Sequence, residues 1–314
     1  MSVGQAAARL ADLQYAAGWR MVRAVPEPLA RRAFEAGAGW VARRGGAGPA
    51  QLRANLARLV PDAAPDQLDA LVVAGMRSYG RYWSEVFRLS APDVPRIHAR
   101  TRMTGPGLPA LLAAIADGTP TVVALPHSGN WDAAGAWLVE QLRQSGREPV
   151  FTTVAERLRP EAVYRRFVGY RRQLGMEVVA AGDSTAAHRA LTGRLRGGGV
   201  VCLVADRDVT GGGVPVDLLG APARLPAGPA RLAALTGALL LPVCPRFTPD
   251  GWAVTVAEPV PVADRGAVPA AVQALADVFC ALLRAKPEDW HALQPVWTAD
   301  VERVAEGAGA GVAA

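Results

Sequence analysis

The sequence predicts an α/β fold: a mostly parallel central sheet flanked by helices on both faces, with an N-terminal helical flange. Three observations predict it. From about residue 120, short runs rich in β-branched residues alternate with helical patterns, as strand–helix–strand units do. The first hundred residues carry helical apolar spacing. Just over half of the 314 residues are apolar, enough for a substantial core.

In order, residues 4 to 24 place Leu10, Leu13, Ala17, Met21 and Ala24 at helical spacing, with Trp19, Arg20 and Arg23 alongside. This is a core helix or an interfacial one, with tryptophan and arginine at headgroup level. Pro26 and Pro28 end it, and a second pattern runs to Arg44. Helices are expected over 50–60 and 65–89, the latter with Pro65 and Asp66 in its first turn. Strands are expected over 121–126, 149–155, 177–182, 200–206, 214–219, 239–247 and 252–258. Helices over 130–144, 160–174, 184–196, 226–237 and 267–286 fall between or after them. The expectation is one domain over 1–314: flange 1–100, core 101–303, and a flexible tail 304–314 too rich in small residues to hold structure.

The net charge of +6 and pI near 9.8 come almost wholly from arginine, since Lys286 is the only lysine. Guanidinium suits phosphate, and a basic surface fits anionic lipid. Nucleic acid is disfavoured, because the arginines are spread out without interleaved stacking aromatics. Cys202, Cys244 and Cys280 match no zinc spacing and read as buried thiols. No metal or cofactor is expected. We read no signal peptide and no apolar run long enough to span a bilayer, so a soluble or peripheral protein is expected.

The stretch TVVALPHSGNWDAAGAWL, residues 121 to 138, concentrates the chemistry. A strand end feeding a helix start leaves backbone N–H groups free and gathers side chains. His127 there is a candidate general base and Asp132 its orienter. Asn130 is placed to cap the helix, leaving Asp132 in its first turn. Asp206 and Asp208 close the strand VVCLVADRD, either as a loop pair with Arg207 or as a second acid beside His127. GAPARLPAGPARLA reads as a rigid wall for a donor site, with Arg224 as its basic residue.

PHSGNWD, ERLRPE, ADRDV, the GAPARLPAGPARLA segment and PEDWHALQPVW follow one another in an order that resembles the bacterial lysophospholipid and lipid A acyltransferase family, over roughly residues 100 to 300. Within it the chain looks most like the actinobacterial phosphatidylinositol mannoside acyltransferases. The resemblance implies direct transfer of a long acyl chain from acyl-CoA to a mannose hydroxyl of phosphatidylinositol mannoside, on the cytoplasmic face of the membrane. It implies His127, Asp132 and Asp206 as catalytic, with Asp206 favoured over Asp208. It further implies Glu156 and Arg159 at the acceptor, Arg171 at a phosphate of the lipid or of coenzyme A, and Ser128 in support, with Asn130 beside it at the substrate.

Two alternatives stand beside this. One is a lipid A-type or other glycolipid acceptor. The other is hydrolysis through Ser184, because AAGDSTAAH resembles the GDS box of the SGNH lipase-like hydrolases, although D-W-H near the end is one residue short of their D-x-x-H. A non-catalytic binding protein would have little need for His127 and Asp132 together.

Overall fold

In the computed structural model the described residues are 18–156, 161–181, 184–208 and 211–310. Residues 18–24 are helical, and the rest of the expected first helix lies outside the described residues. Helices α1 (Glu27–Arg44), α2 (Ala47–Leu59), α3 (Pro65–Val86) and α4 (Val94–Arg100) follow. Prolines in their first turns, where no intrahelical N–H is needed, open α1, α3 and α4. α1 lies so close to α3 that a Cβ on Gly80 would meet the Phe34 carbonyl oxygen at 2.7 Å.

The core opens with β1 (Thr101–Thr104) and α5 (Leu108–Asp117), which the sequence did not predict, and then alternates as expected: β2 (Thr121–Leu125), α6 (Trp131–Gln144), β3 (Phe151–Ala155), α7 (Glu161–Gln173), β4 (Met176–Ala180), α8 (Ser184–Arg196) and β5 (Val200–Val204). After β6 (Val214–Leu218) and β7 (Ala221–Leu225) come α9 (Gly228–Thr236), β8 (Leu239–Phe247), β9 (Trp252–Val256), α10 (Val268–Arg284) and α11 (Thr298–Ala310). Seven strands form one sheet in the order β1-β9-β8-β2-β5-β3-β4. Every pairing in it is parallel except β8 with β9.

β2 lies between β5 and β8 and is buried along its whole length. Val122 and Ala124 enter the core shared with α2, α8, α9 and α10, while Val123 and Leu125 enter the one shared with α4 to α7. α3 contributes to both. The chain therefore leaves β2 at the carboxyl edge of the sheet, between neighbours that continue in different directions, where open α/β sheets hold ligands.

Three expectations need correction. Residues 221–225 do not form a rigid loop; they pair antiparallel with β6 in a hairpin closed by Leu219 and Gly220, at φ 59° and 80°. The expected flexible tail is helical as far as Ala310, its start anchored by Asp300 on Arg58 and Arg303. Alanine's helix propensity lets the small residues continue it. Arg265–Arg284 is long and apolar enough to cross a membrane by composition. Yet Val272, Leu275, Ala276 and Phe279 of this stretch are at most 2% exposed, so it serves as a core helix. Phe279→Ala is expected to cost about 3–5 kcal/mol by denaturant unfolding, against less than about 0.5 kcal/mol for Val304→Ala at the exposed face of α11.

Candidate active site

His127 lies two residues beyond β2, in a loop pinned from three sides. The Ser128 hydroxyl donates to the Pro245 carbonyl at 2.9 Å. Gly129 N–H donates to the Asp289 carbonyl at 2.9 Å, and His291 N–H to the His127 carbonyl at 2.8 Å. Gly129 has φ 54°, and a Cβ there would press on the Arg246 backbone at 2.8 Å, so only glycine fits. Asn130 then caps α6, its side-chain oxygen accepting from Ala133 N–H at 2.9 Å while its amide donates to Glu85 at 2.6 Å. Ser128 and Asn130, expected at the substrate, are 0% and 1% exposed and engaged within the protein. They shape the loop.

The carboxylate that meets His127 is Asp206. Its Oδ1 lies 2.7 Å from His127 Nδ1, and its Oδ2 accepts from the His127 N–H at 3.1 Å and the Trp290 indole at 2.9 Å. Burial alone would raise its pKa; the charge and ring N–H of His127, the Trp290 indole and the backbone donor together outweigh it and hold the carboxyl at about 2. An ionised acceptor at Nδ1 places the imidazole proton there and leaves Nε2 as a free lone pair on a ring that is 29% exposed. Asp208, the other candidate, accepts from Gly213 N–H at 2.6 Å instead.

Asp132 does not orient His127. It points away from the loop, where Arg171 Nε meets it at 2.7 Å and the Tyr82 hydroxyl at 3.0 Å. The helix start fixes this: Asp132 follows the Asn130 cap on a face turned to α3 and α7, whereas His127 precedes the Gly129 turn. Burial would lower the Arg171 pKa, but Asp132 outweighs it and raises it. Arg171, expected at a phosphate, is thus buried against Asp132 and the Phe167 ring.

Of the remaining expected residues, Glu156 closes β3 with its side chain 53% exposed, 4.0 Å from Arg207. Arg159 lies outside the described residues. Arg224 is exposed on β7, and among the described residues no hydrogen bond or ion pair joins it to the dyad. Ser184 begins α8, and Asp183 lies outside the described residues. The late Asp289 and His291 are bridged by Ser78 of α3, at 2.7 and 3.0 Å.

Sequence reading missed Trp290, His291, Tyr82 and Glu85. The D-W-H segment was visible only as part of an ordered pattern, because nothing local tells that it closes over a loop so far upstream. Ser78 donates to Asp289, so His291 Nε2 is the protonated nitrogen and donates to Ser78; its buried Nδ1 has no hydrogen-bond partner among the described residues. Burial, then the nearby charge of His127, push the His291 pKa down to about 3.

Beside the dyad, between the sheet and α6, lies an apolar cavity of about 70 Å³. Leu125, Val204, Leu138, Phe151 and Met176 contribute to its wall, and the Asp132–Arg171 pair is its polar margin. Trp131 belongs to both regions: it lines the cavity and meets the His127 ring edge-on, centroids 5.4 Å apart.

A histidine–carboxylate dyad on the sheet edge, next to a cavity of hydrocarbon character, is an arrangement that can support base-assisted chemistry on an apolar substrate. Residues 6–299 match the family described as bacterial lipid A biosynthesis acyltransferase, and the chain belongs to it. It is an acyltransferase. It is similar to the phosphatidylinositol mannoside acyltransferase of Mycobacterium tuberculosis, 49% identical over 92% of this chain and 89% of that one. The protein of the same name from Mycolicibacterium smegmatis is 48% identical over 93% of each.

Asp206→Asn is expected to lower kcat by about 10²–10⁴-fold, because the amide misorients the imidazole. Asp132→Asn is expected to act on stability, by about 3–5 kcal/mol, by leaving Arg171 buried and unpaired; thermal unfolding and steady-state rates separate the two. His291 titrates below its ordinary 6.5 in the fold, so its neutral burial favours folding above pH 6.5 and loses ground as pH falls toward 3. The acid limb of a stability–pH curve is expected to flatten in His291→Gln.

Proposed function

We propose that this protein transfers a long acyl chain from an acyl-CoA thioester to a mannose hydroxyl of phosphatidylinositol mannoside. The observation that carries this reading is the His127–Asp206 dyad opening beside the apolar cavity. The names of its relatives support the acceptor.

His127 Nε2 takes the proton of the acceptor hydroxyl as its oxygen attacks the thioester carbonyl. Asp206 stabilises the imidazolium that forms. The N–H groups of Trp131 and Asp132, which lack intrahelical acceptors as the first residues of α6, are the proposed donors to the oxyanion. Collapse breaks the carbon–sulfur bond, and the imidazolium returns the proton to the departing thiolate. The cavity takes the hydrocarbon tail; burying each methylene contributes about 0.8 kcal/mol. Neither metal nor cofactor enters these steps.

The same reading places the protein peripherally, on the cytoplasmic face of the membrane. Met21, Leu29 and Trp40 are exposed along residues 18–24 and α1, among Arg20, Arg23, Arg32 and Arg44. Apolar side chains set among arginines suit an anionic lipid surface.

Thiol release from palmitoyl-CoA, with and without phosphatidylinositol mannosides, tests this in wild type, His127→Ala and Ser184→Ala. Acceptor-dependent release is expected in wild type and Ser184→Ala, with a loss of about 10³-fold or more in His127→Ala. Release that persists in His127→Ala and vanishes in Ser184→Ala would sink the proposal in favour of a serine hydrolase.

A further inference from the structure

Three shielded arginines of this fold are tightly held. Arg81 donates to Glu85 and to the Thr248 and Gly251 carbonyls at 2.7–2.9 Å. Arg171 has Asp132 at 2.7 Å, and Arg194 has Glu148 and Glu177 at 2.7 and 3.1 Å. Arg207 differs. Its side chain is only 17% exposed, yet its one charged partner among the described residues is Glu156, at 4.0 Å. That separation is too long for a hydrogen bond, and Glu156 is itself half exposed, so the pair contributes little.

The position of Arg207 gives this loose fork a use. It follows Asp206 directly, at the carboxyl edge of β5, and Glu156 ends the adjacent strand β3. Its charge reaches Tyr79 of α3, countering the burial that raises that phenol's pKa. Tyr79 in turn packs on Tyr82 and His291, whose ring neighbours Trp131. Arg207 is thus one residue along the chain from the dyad's carboxylate, on the same edge of the sheet.

We propose that Arg207 is a substrate-binding residue that holds the phosphodiester of the acceptor lipid and so sets the acceptor hydroxyl against His127. This rests on the anionic glycolipid acceptor proposed above. A guanidinium fork matches two phosphate oxygens, and an incoming phosphate replaces the loose Glu156 contact at small cost. The acceptor is a better source of that phosphate than the donor. Coenzyme A carries its phosphates a whole pantetheine arm away from the reacting thioester, whereas the inositol phosphodiester lies only an inositol ring from the first mannose.

The test is the ratio of kcat/KM for phosphatidylinositol mannoside to that for an uncharged alkyl mannoside. It is measured in wild type, Arg207→Gln and Arg207→Lys, with palmitoyl-CoA and with palmitoyl-N-acetylcysteamine, a thioester without phosphates. In Arg207→Gln the ratio is expected to fall about tenfold or more through KM of the anionic acceptor, with either donor. Lysine, keeping charge without the fork, is expected to restore part of it. An equal loss on both acceptors would make Arg207 a structural residue and overturn the proposal. A loss seen with palmitoyl-CoA alone would assign the fork to the donor and overturn it equally. Wild type that acylates neither mannoside would overturn the acceptor reading itself, before any variant is considered.

Discussion

The geometry of this protein depends on one buried carboxylate. Asp206 accepts from the His127 ring, the His127 backbone and the Trp290 indole, and so ties together the ends of β2 and β5 and the C-terminal segment. A carboxylate removed from water is costly unless donors compensate it, and here three do. The same contacts that make its burial tolerable fix the tautomer and direction of the imidazole. Folding and chemistry draw on one set of hydrogen bonds.

Around this centre the other buried charges act as clamps between layers. Glu85 of α3 takes the Asn130 amide and the Trp252 indole, joining the helical flange to the start of α6 and to β9. Asp132 joins α6 to α7 through Arg171 and to α3 through Tyr82. Ser78 of α3 bridges Asp289 and His291 beneath the loop. Partners of this kind are directional in a way that apolar packing is not, and they hold the loop in register. The cavity beside them, lined mostly by aliphatic and aromatic side chains, asks only for volume and dryness.

The division of labour between two acids in the H-x4-D stretch and its neighbours follows from backbone direction. The left-handed turn at Gly129 separates His127 from the helix that carries Asp132, so five residues in sequence become two sides of a wall. Trp131 stands in that wall, lining the cavity, stacked on Tyr82 and perpendicular to the His127 ring. Proximity along the chain suggested a pair. The turn sends the histidine to the neighbouring strand for its partner.

By itself the sequence determined the alternation of strands and helices and the strand-to-helix junction at which His127 sits. These are written in local periodicity and in residue types at a strand-to-helix junction. The short edge strand β1 and the helix after it were missed, because four residues give no reliable period. The choice of Asp206 over Asp132, the closure by Trp290 and His291, and the pairing of Arg171 with Asp132 were decided by tertiary structure alone. Each turns on which strands become neighbours and on which side of the sheet edge a side chain emerges. No local pattern encodes either, since pairing β2 with β5 brings together residues that share nothing in sequence but the edge they end on.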